Sequence, residues 1–498
     1  MQVQSDLETP MSNRTHRGLC RFLIHIQKTG GHVFIMERFF KLREHGTNVK
    51  TEMIAGLTTF ITMAYILFVN NLFLGPDGAG IPAQGVFFAT AVGAGLVTIL
   101  MGLFANIPVA LAPGMGLNAY FMTVVLSSNG MITWQAALGA VFLSGIIFII
   151  LTITKVRQLL LVAVPHSLKM AITVGIGLFV TIIGLKLGNV ISVSATVTGV
   201  TDVSQLAGPV TVSGGNFQLA LSDFVHNKDT LLSLIGLFLI GVLMVMRIRG
   251  ALLIGIVLLT LIGIPMGLTD VSSLSHAQWL PSFDNLAVGQ LDIKGAIGLG
   301  LFEIVFIFTF VELFDTFGTL VGTAERAGLF KNRKEGEKKV SKAMLVDAVG
   351  VSAGAVLGTS TITSYVESTS GVAAGGRTGL TAVTTGVLFL LALFIAPLAL
   401  MVPSAATAPA LVIVGVLMMS QVRNIVWDDF MQAFPAFLTI IFMPFTNGIA
   451  NGISAGILSY VILGFFANTF TGYKVKVHWL MWILAIIVVA RYVFLGSE

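Results

Sequence analysis

The sequence predicts an all-α polytopic membrane protein, and three observations carry that reading. First, the 498 residues are 55% hydrophobic and only 10% charged, with a mean hydropathy of +0.93. A soluble chain of this length needs far more charge to cover its surface. Second, apolar runs of about 20 residues recur, each long enough to cross the hydrocarbon as a helix. Examples are "GVFFATAVGAGLVTIL", "GAVFLSGIIFIILTIT", "LLSLIGLFLIGVLMVM" and "LTAVTTGVLFLLALFIAPLAL". Third, Lys and Arg are distributed by side. The runs suggest spans near 52–72, 85–105, 107–127, 134–155, 159–187, 229–246, 250–268, 297–322, 342–358, 359–374, 378–400, 403–420, 430–447 and 450–468. With the N-terminus inside, the cytoplasmic connections receive Lys155, Arg157, Arg247, Arg249, "ERAGLFKNRKEGEKKVSK", Arg377, Arg423, Lys474 and Lys476. The long outer connections 188–228 and 269–296 hold only Lys228 and Lys294. That asymmetry fits the positive-inside rule for fourteen spans.

The ends are less regular. Residues 1–35 are polar and basic, and their apolar patch "LCRFLIHI" is broken by Arg21 and His25. They read as a disordered cytoplasmic tail without a cleavable signal, with Met36 as an alternative natural start. The apolar piece 478–495 either lies at the interface or crosses once more. The sole cysteine, Cys20, excludes an intramolecular disulfide and a cysteine-based metal cluster. The histidines show no metal-ligand spacing, so no cofactor is expected.

The two halves echo each other. "LLVAVPHSLKMAITVGIGLF" resembles "LALMVPSAATAPALVIVGVLM", with Val164-Pro165 matching Val402-Pro403 and Gly177 matching Gly415. Seven spans per half is odd, so the halves must be inverted relative to each other, an arrangement found in secondary transporters. The expected division is a tail (1–35), a first seven-span repeat (36–268), an extracellular connection (269–296), a second repeat (297–470) and a C-terminal segment (471–498). Each half carries one span rich in breakers or hydroxyls. One is "NIPVALAPGMGLNAYF", with Pro108, Pro113, Gly114, Gly116 and Asn118. The other is "GTSTITSYVESTSG", in which eight of the twelve residues Thr359–Ser370 are Ser or Thr and Glu367 sits among them. Opened backbone at that depth is tolerated only where it is buried in protein or lines a cavity, and paired interrupted spans point to a midplane site.

Acids add to the pattern. In "LGLFEIVFIFTFVELFDTFGTLVGTAE", Asp315 lies ten residues from Glu325, or roughly 15 Å, near the bilayer midplane. Glu303 falls near the outer interface, where a solvated carboxylate needs no special role. Glu312, Asp315 and Thr319 are spaced i, i+3, i+7 and share a face, bordered by Gly318 and Gly322. Intramembrane carboxylates usually mark a substrate or ion pathway; a structural hydrogen bond between helices is the plainer alternative, above all for Glu312. Asp347 either relays protons or tethers helices. Few cations lie at that depth; Lys169 and Lys186 belong to the fifth span. A protonatable acid at such a site is what proton coupling requires, so Glu367, Asp315, Glu312 and Asp347 are the coupling candidates.

The motifs "FDTFGTLVG", "GTSTITSYVESTSGVAAGGRTGLTAV", "VALAPGMGLNAYF", "AGLTTFITMAYILFVN" and "PAFLTIIFMPF" resemble the AzgA-like adenine/guanine/hypoxanthine permeases of the nucleobase–ascorbate transporter superfamily, over about residues 36–496. The resemblance implies fourteen helices in two inverted repeats. Spans 1–4 and 8–11 would form a core domain and spans 5–7 and 12–14 a gate, with short extended strands in spans 3 and 10 meeting between them. It implies a purine nucleobase held by Asp315 and Glu367 and by strand backbone near Thr363, Tyr365 and Val366. Asn118 matches a polar position implicated in the family. Thr319 stands where uracil-transporting relatives carry a histidine. One departure is Asn70-Asn71, where relatives commonly have Asn-Pro.

A carboxyl group suits a purine, because it can accept from a ring N–H and, when protonated, donate to a neighbouring acceptor. Phe121, Phe314 and Phe317 are candidates to stack on the base. Transport by proton symport through the cell membrane is the expectation, with a nucleobase and a proton as partners, a homodimer left open, and no nucleic acid. Uracil, xanthine or an anion as solute, a channel, and an intramembrane enzyme are the alternatives. Two acids argue against an anion, and no nucleophile–base pair supports an enzyme.

Overall fold

The computed structural model of the protein describes residues 31–494 except 129, 155, 196–216, 273, 275–278, 280–284, 299–300, 332 and 471–474. Within helices a few side chains, including those of Glu303, Phe314, Asp315 and Phe317, also fall outside the described set. Most of the tail 1–35 lies outside it too.

Apolar stretches became helices wherever no breaker intervened. In the first half these are α1 (Gly31–Phe40), α2 (Val49–Met63), α3 (Ile66–Leu74), α4 (Ala83–Leu100), α5 (Met115–Ser127), α6 (Trp134–Ile153), α7 (Val156–Ala163), α8 (His166–Leu187), α9 (Lys228–Val245) and α10 (Ala251–Met266). The second half holds α11 (Ile293–Gly298), α12 (Leu301–Arg326), α13 (Arg333–Leu357), α14 (Ser368–Ala373), α15 (Gly379–Leu391), α16 (Ala396–Leu400), α17 (Ser404–Met419), α18 (Phe430–Phe445), α19 (Ile449–Phe470) and α20 (Trp479–Phe494). Among the described residues nine helical stretches are long and apolar enough to cross a membrane, α2 and α3 counting as one. Among the described residues there are four strands: β1 (Leu111–Pro113), β2 (Ile191–Ala195), β3 (Phe217–Leu221) and β4 (Ile362–Ser364). The β2–β3 pair is an antiparallel hairpin in the 188–228 connection.

Two boundaries of the sequence reading shift for local reasons, and the C-terminal piece that it left open takes a form. The fifth span divides into α7 and α8 at Val164-Pro165, because Pro165 lacks the N–H a continuing helix needs and instead precedes the first turn of α8. Helix α13 begins at Arg333, nine residues before the expected span, since the Lys/Glu-rich run that follows is a good helix former even in water. The C-terminal piece is a helix, α20, whose buried residues Met481, Leu484, Ala485 and Val488 share one face. It packs on α19, and the Tyr492 hydroxyl donates to Asn451 Oδ1 at 2.9 Å.

Packing sorts the helices into two sets. In one, α6 lies against α13, and α15 lies against α2 and α4; in the other, α8 lies against α17 and α18, α18 against α19, and α9 against α17. Lipid tails are as apolar as leucine, so helices gain by close approach and by polar contacts. Both devices are present. A Cβ on Gly379 would lie 2.0 Å from the Gly102 carbonyl, and one on Gly102 would lie 2.4 Å from the Gly379 carbonyl. Gly177 and Gly415 are equally reciprocal across α8 and α17: added Cβ atoms would lie 3.0 and 2.5 Å from each other's carbonyl oxygens. The polar device is Glu52 on α2, fully buried. Its carboxylate accepts from the Arg377, Thr378 and Thr381 amides at 2.8, 3.3 and 3.2 Å and from the Thr381 hydroxyl at 2.5 Å. It thereby caps the N-terminus of α15 from another helix, where its charge complements the helix dipole.

Gly379→Ala should therefore lower stability by about 1–3 kcal/mol through forced separation of α15 from the helical turn Met101–Ala105 that follows α4. Gly241→Ala on α9, where an added Cβ meets nothing within 4 Å, is the matched control. Thermal denaturation in detergent should show a clear fall for the first and none for the second.

Candidate functional site

The two interrupted spans meet. β1 pairs antiparallel with β4 in the register Leu111↔Ser364, Ala112↔Thr363 and Pro113↔Ile362. Pro108 and Pro113 stop helix growth on one side, and β-branched Ile362 and Thr363 favour extended backbone on the other. The pair is extended at both ends. The Gly114 amide donates to Thr361 O at 2.9 Å, and the Tyr365 amide to Ala110 O at 3.0 Å. The Tyr365 hydroxyl also donates to Pro113 O, so its buried ring straps the ladder.

A two-stranded ladder leaves two open edges, and here side chains close them. Along β1, Leu111 N–H donates to Thr98 Oγ1 at 2.8 Å, and Thr98 Oγ1 donates to Leu111 O at 2.9 Å. Along β4, Ser364 N–H donates to Asp347 Oδ1 at 3.2 Å. Ala110 N–H is taken by Ser368 Oγ at 3.0 Å.

Beyond β4 the chain turns outward. Val366 is 55% exposed, and Glu367, at the start of α14, is half-buried. Tyr65, fully buried at the junction of α2 and α3, donates its hydroxyl to Glu367 Oε1 at 2.7 Å. Sequence reasoning did not select Tyr65. Its signal was only that a tyrosine in an apolar span must find a partner for its hydroxyl.

Asn118 takes a different position from Glu367. It is fully buried behind β4, where its amide donates to Asn70 Oδ1 at 2.5 Å and its carbonyl accepts from the Ser360 hydroxyl. Asn70 in turn donates to Thr90 Oγ1 at 2.6 Å and to Thr359 Oγ1 at 3.1 Å. This network ties α3, α4 and α5 to the chain entering β4. Asn70 came from the sequence as the first residue of the Asn70-Asn71 pair and Asn118 as a site candidate; the structure joins them.

A second network lies on the α12 side of the ladder. The Thr316 hydroxyl is 3.0 Å from Glu312 Oε1, 3.3 Å from Asp347 Oδ1 and 2.8 Å from Thr363 Oγ1. Having one proton, it can donate to a single carboxylate while accepting from Thr363. All four residues are buried. Thr319, one turn on, is half-buried. Asp315 belongs to this helix, and its side chain lies outside the described residues. The sequence placed Arg157 in a cytoplasmic connection, and few cations at the depth of these acids. In the structure Arg157 is buried, and its Nη2 lies 4.0 Å from Asp347 Oδ2. Of the other cations considered, Lys169 is half-buried and Lys186 exposed. Phe121 is fully buried.

The family model Xan_ur_permease, described as Permease family, matches residues 50–455. The chain belongs to this permease family. It is 43% identical over 440 residues to the adenine permease AdeP of Escherichia coli K12, covering 88% of this chain and 92% of AdeP. It is 41% identical over 472 residues to the guanine/hypoxanthine permease PbuG of Bacillus subtilis 168, covering 92% and 100%. The fold is also that of the transmembrane domain of the cyanobacterial bicarbonate transporter BicA, with a TM-score of 0.55 at 16% identity over 82% of this chain and 97% of that one. At that identity the likeness concerns the fold alone. The permease is thus a multi-pass membrane protein with the crossed half-strands at its polar centre.

Asn70→Ala strands the Asn118 amide in a buried setting and should cost about 1–3 kcal/mol. Thermal denaturation of the detergent-solubilised protein, beside the conservative Asn70→Gln, measures it.

Proposed function

We propose that this permease is a secondary active transporter that imports purine nucleobases (hypoxanthine, guanine or adenine) by proton symport. The observation that carries the proposal is the position of Glu367. It follows directly on the broken strand β4, half-buried, with Tyr65 holding one carboxyl oxygen, so that Oε2 is the atom to meet a ring N–H. The relatives named as adenine and guanine/hypoxanthine permeases support the solute class.

In this reading Asp315 grips the base from α12 while the backbone around Val366 contributes polar groups. The Tyr365 amide is spent on the ladder. Carrying a bare carboxylate between membrane faces costs several kcal/mol, so a proton taken up on Glu367 or Asp315 with the base neutralises the loaded site. The frame is fourteen spans in two inverted repeats with the N-terminus inside, the helices around the strands moving against those around α8 and α17. Two features support the inversion. β1 pairs antiparallel with β4, and Gly177 meets Gly415, the residue it matches in sequence.

Glu367→Gln should abolish high-affinity uptake of labelled hypoxanthine with normal amounts in the membrane; unchanged kinetics would remove Glu367 from the site. Wild-type uptake should accelerate as external pH falls, collapse with a protonophore and ignore replacement of Na⁺ by choline. Sodium-dependent uptake that survives the protonophore would overturn the symport and leave the purine site standing. Tyr65→Phe deletes the donor to Glu367 and should raise KM by roughly ten-fold with a smaller effect on maximal rate; an unchanged KM would show that Tyr65 does not set the carboxyl.

A further inference from the structure

We propose that Arg157 is a positioning residue for the substrate strand, acting through Asp347, and that Asp347 keeps its charge through the transport cycle while another acid carries the proton. The proposal rests on the symport reading above.

Arg157 lies on α7, the short helix joining α6 to α8. That helix presents Leu159 and Val162 outward and turns its arginine inward, the reverse of a snorkelling cation. Arg157 is 1% exposed. Its Cζ sits 4.5 Å above the Phe148 ring, and Nη1 donates to Met344 O at 3.4 Å. Nε and Nη2 make no hydrogen bond among the described residues, and Nη2 faces Asp347 Oδ2 at 4.0 Å. The cation is therefore buried deeply with few hydrogen bonds, and the carboxylate of Asp347 is its main counter-charge, with Glu312 further off.

The opposite oxygen of that carboxylate faces the site. Asp347 Oδ1 accepts the Ser364 amide, and Ser364 ends β4 three residues before Glu367. Arg157, Asp347 and Ser364 thus form a strut from the connecting helix to the strand. An arginine is charged at every physiological pH, so protonating Asp347 would leave a buried guanidinium facing a neutral group. Glu312, the other acid on the network, meets the Thr316 hydroxyl at 3.0 Å and is a second, weaker counter-charge to Arg157. Exposure separates the roles as well: Asp347 is fully buried, whereas Glu367 is half-buried and stands next to exposed Val366.

The test is a charge-removal cycle read by transport per molecule in the membrane. Arg157→Gln and Asp347→Asn each leave one buried charge and should lower hypoxanthine uptake by at least about ten-fold. The double variant removes both charges and should recover to within about three-fold of wild type, still accumulating base in a protonophore-sensitive manner. Arg157→Lys keeps the charge and should retain more uptake than Arg157→Gln. A double variant that equilibrates base without accumulating it would make Asp347 the proton carrier and overturn the proposal. A double variant no better than either single, or equal loss in the Lys and Gln variants, would overturn the charge compensation. Should wild-type accumulation itself resist the protonophore, the symport reading falls, and the rescue comparison still decides the pairing.

Discussion

Everything at the centre of this molecule follows from one constraint: an N–H or C=O that leaves a helix inside a membrane must find a partner in the protein. Two half-strands answer it for each other along one edge. The remaining edges are closed by side chains, Thr98 on one side and Asp347 on the other, with Ser368 and the Tyr365 hydroxyl at the ends. The site is a small sheet held in a polar frame contributed by α4, α13 and α14. Its stiffness comes from that frame, since a three-residue ladder has little of its own.

The frame also explains the spacing of polar residues in helices that otherwise read as lipid-facing or packed. Thr90 and Thr98 sit on the same side of α4, and Thr316 sits one turn after Glu312 on α12. Hydroxyls in membrane helices most often back-bond to their own carbonyls, as Thr58, Thr123 and Thr152 do here. The few that reach across to β1, β4 or the loop before it mark where the helices surround opened backbone.

Much of this was legible in the sequence. Pro108, Pro113 and the Ser/Thr run announced two interrupted spans, because prolines remove helix donors and clustered hydroxyls compete with the helix for backbone groups. Repeat matching found Gly177 and Gly415 because close backbone approach admits only the smallest residue. Arg157 was misread for a physical reason. Sidedness rules assign a cation near a span end to water, and only tertiary packing decides whether its side chain turns inward. Tyr65 was hidden because its partner, Glu367, is 302 residues away. Asn118 stood out in the sequence as a polar candidate, but the direction of its amide depends on Asn70, 48 residues away in sequence.

Glu52 carries a consequence for how the chain is made. It belongs to the first long apolar helix among the described residues, yet the amide donors that satisfy its carboxylate begin 325 residues later. For most of synthesis that helix holds a carboxylate without its native donors, and burying it then would be costly. Its start must stay wet until the residues of α15 arrive. The contact between α2 and the start of α15 can therefore form only after residue 381 has been made.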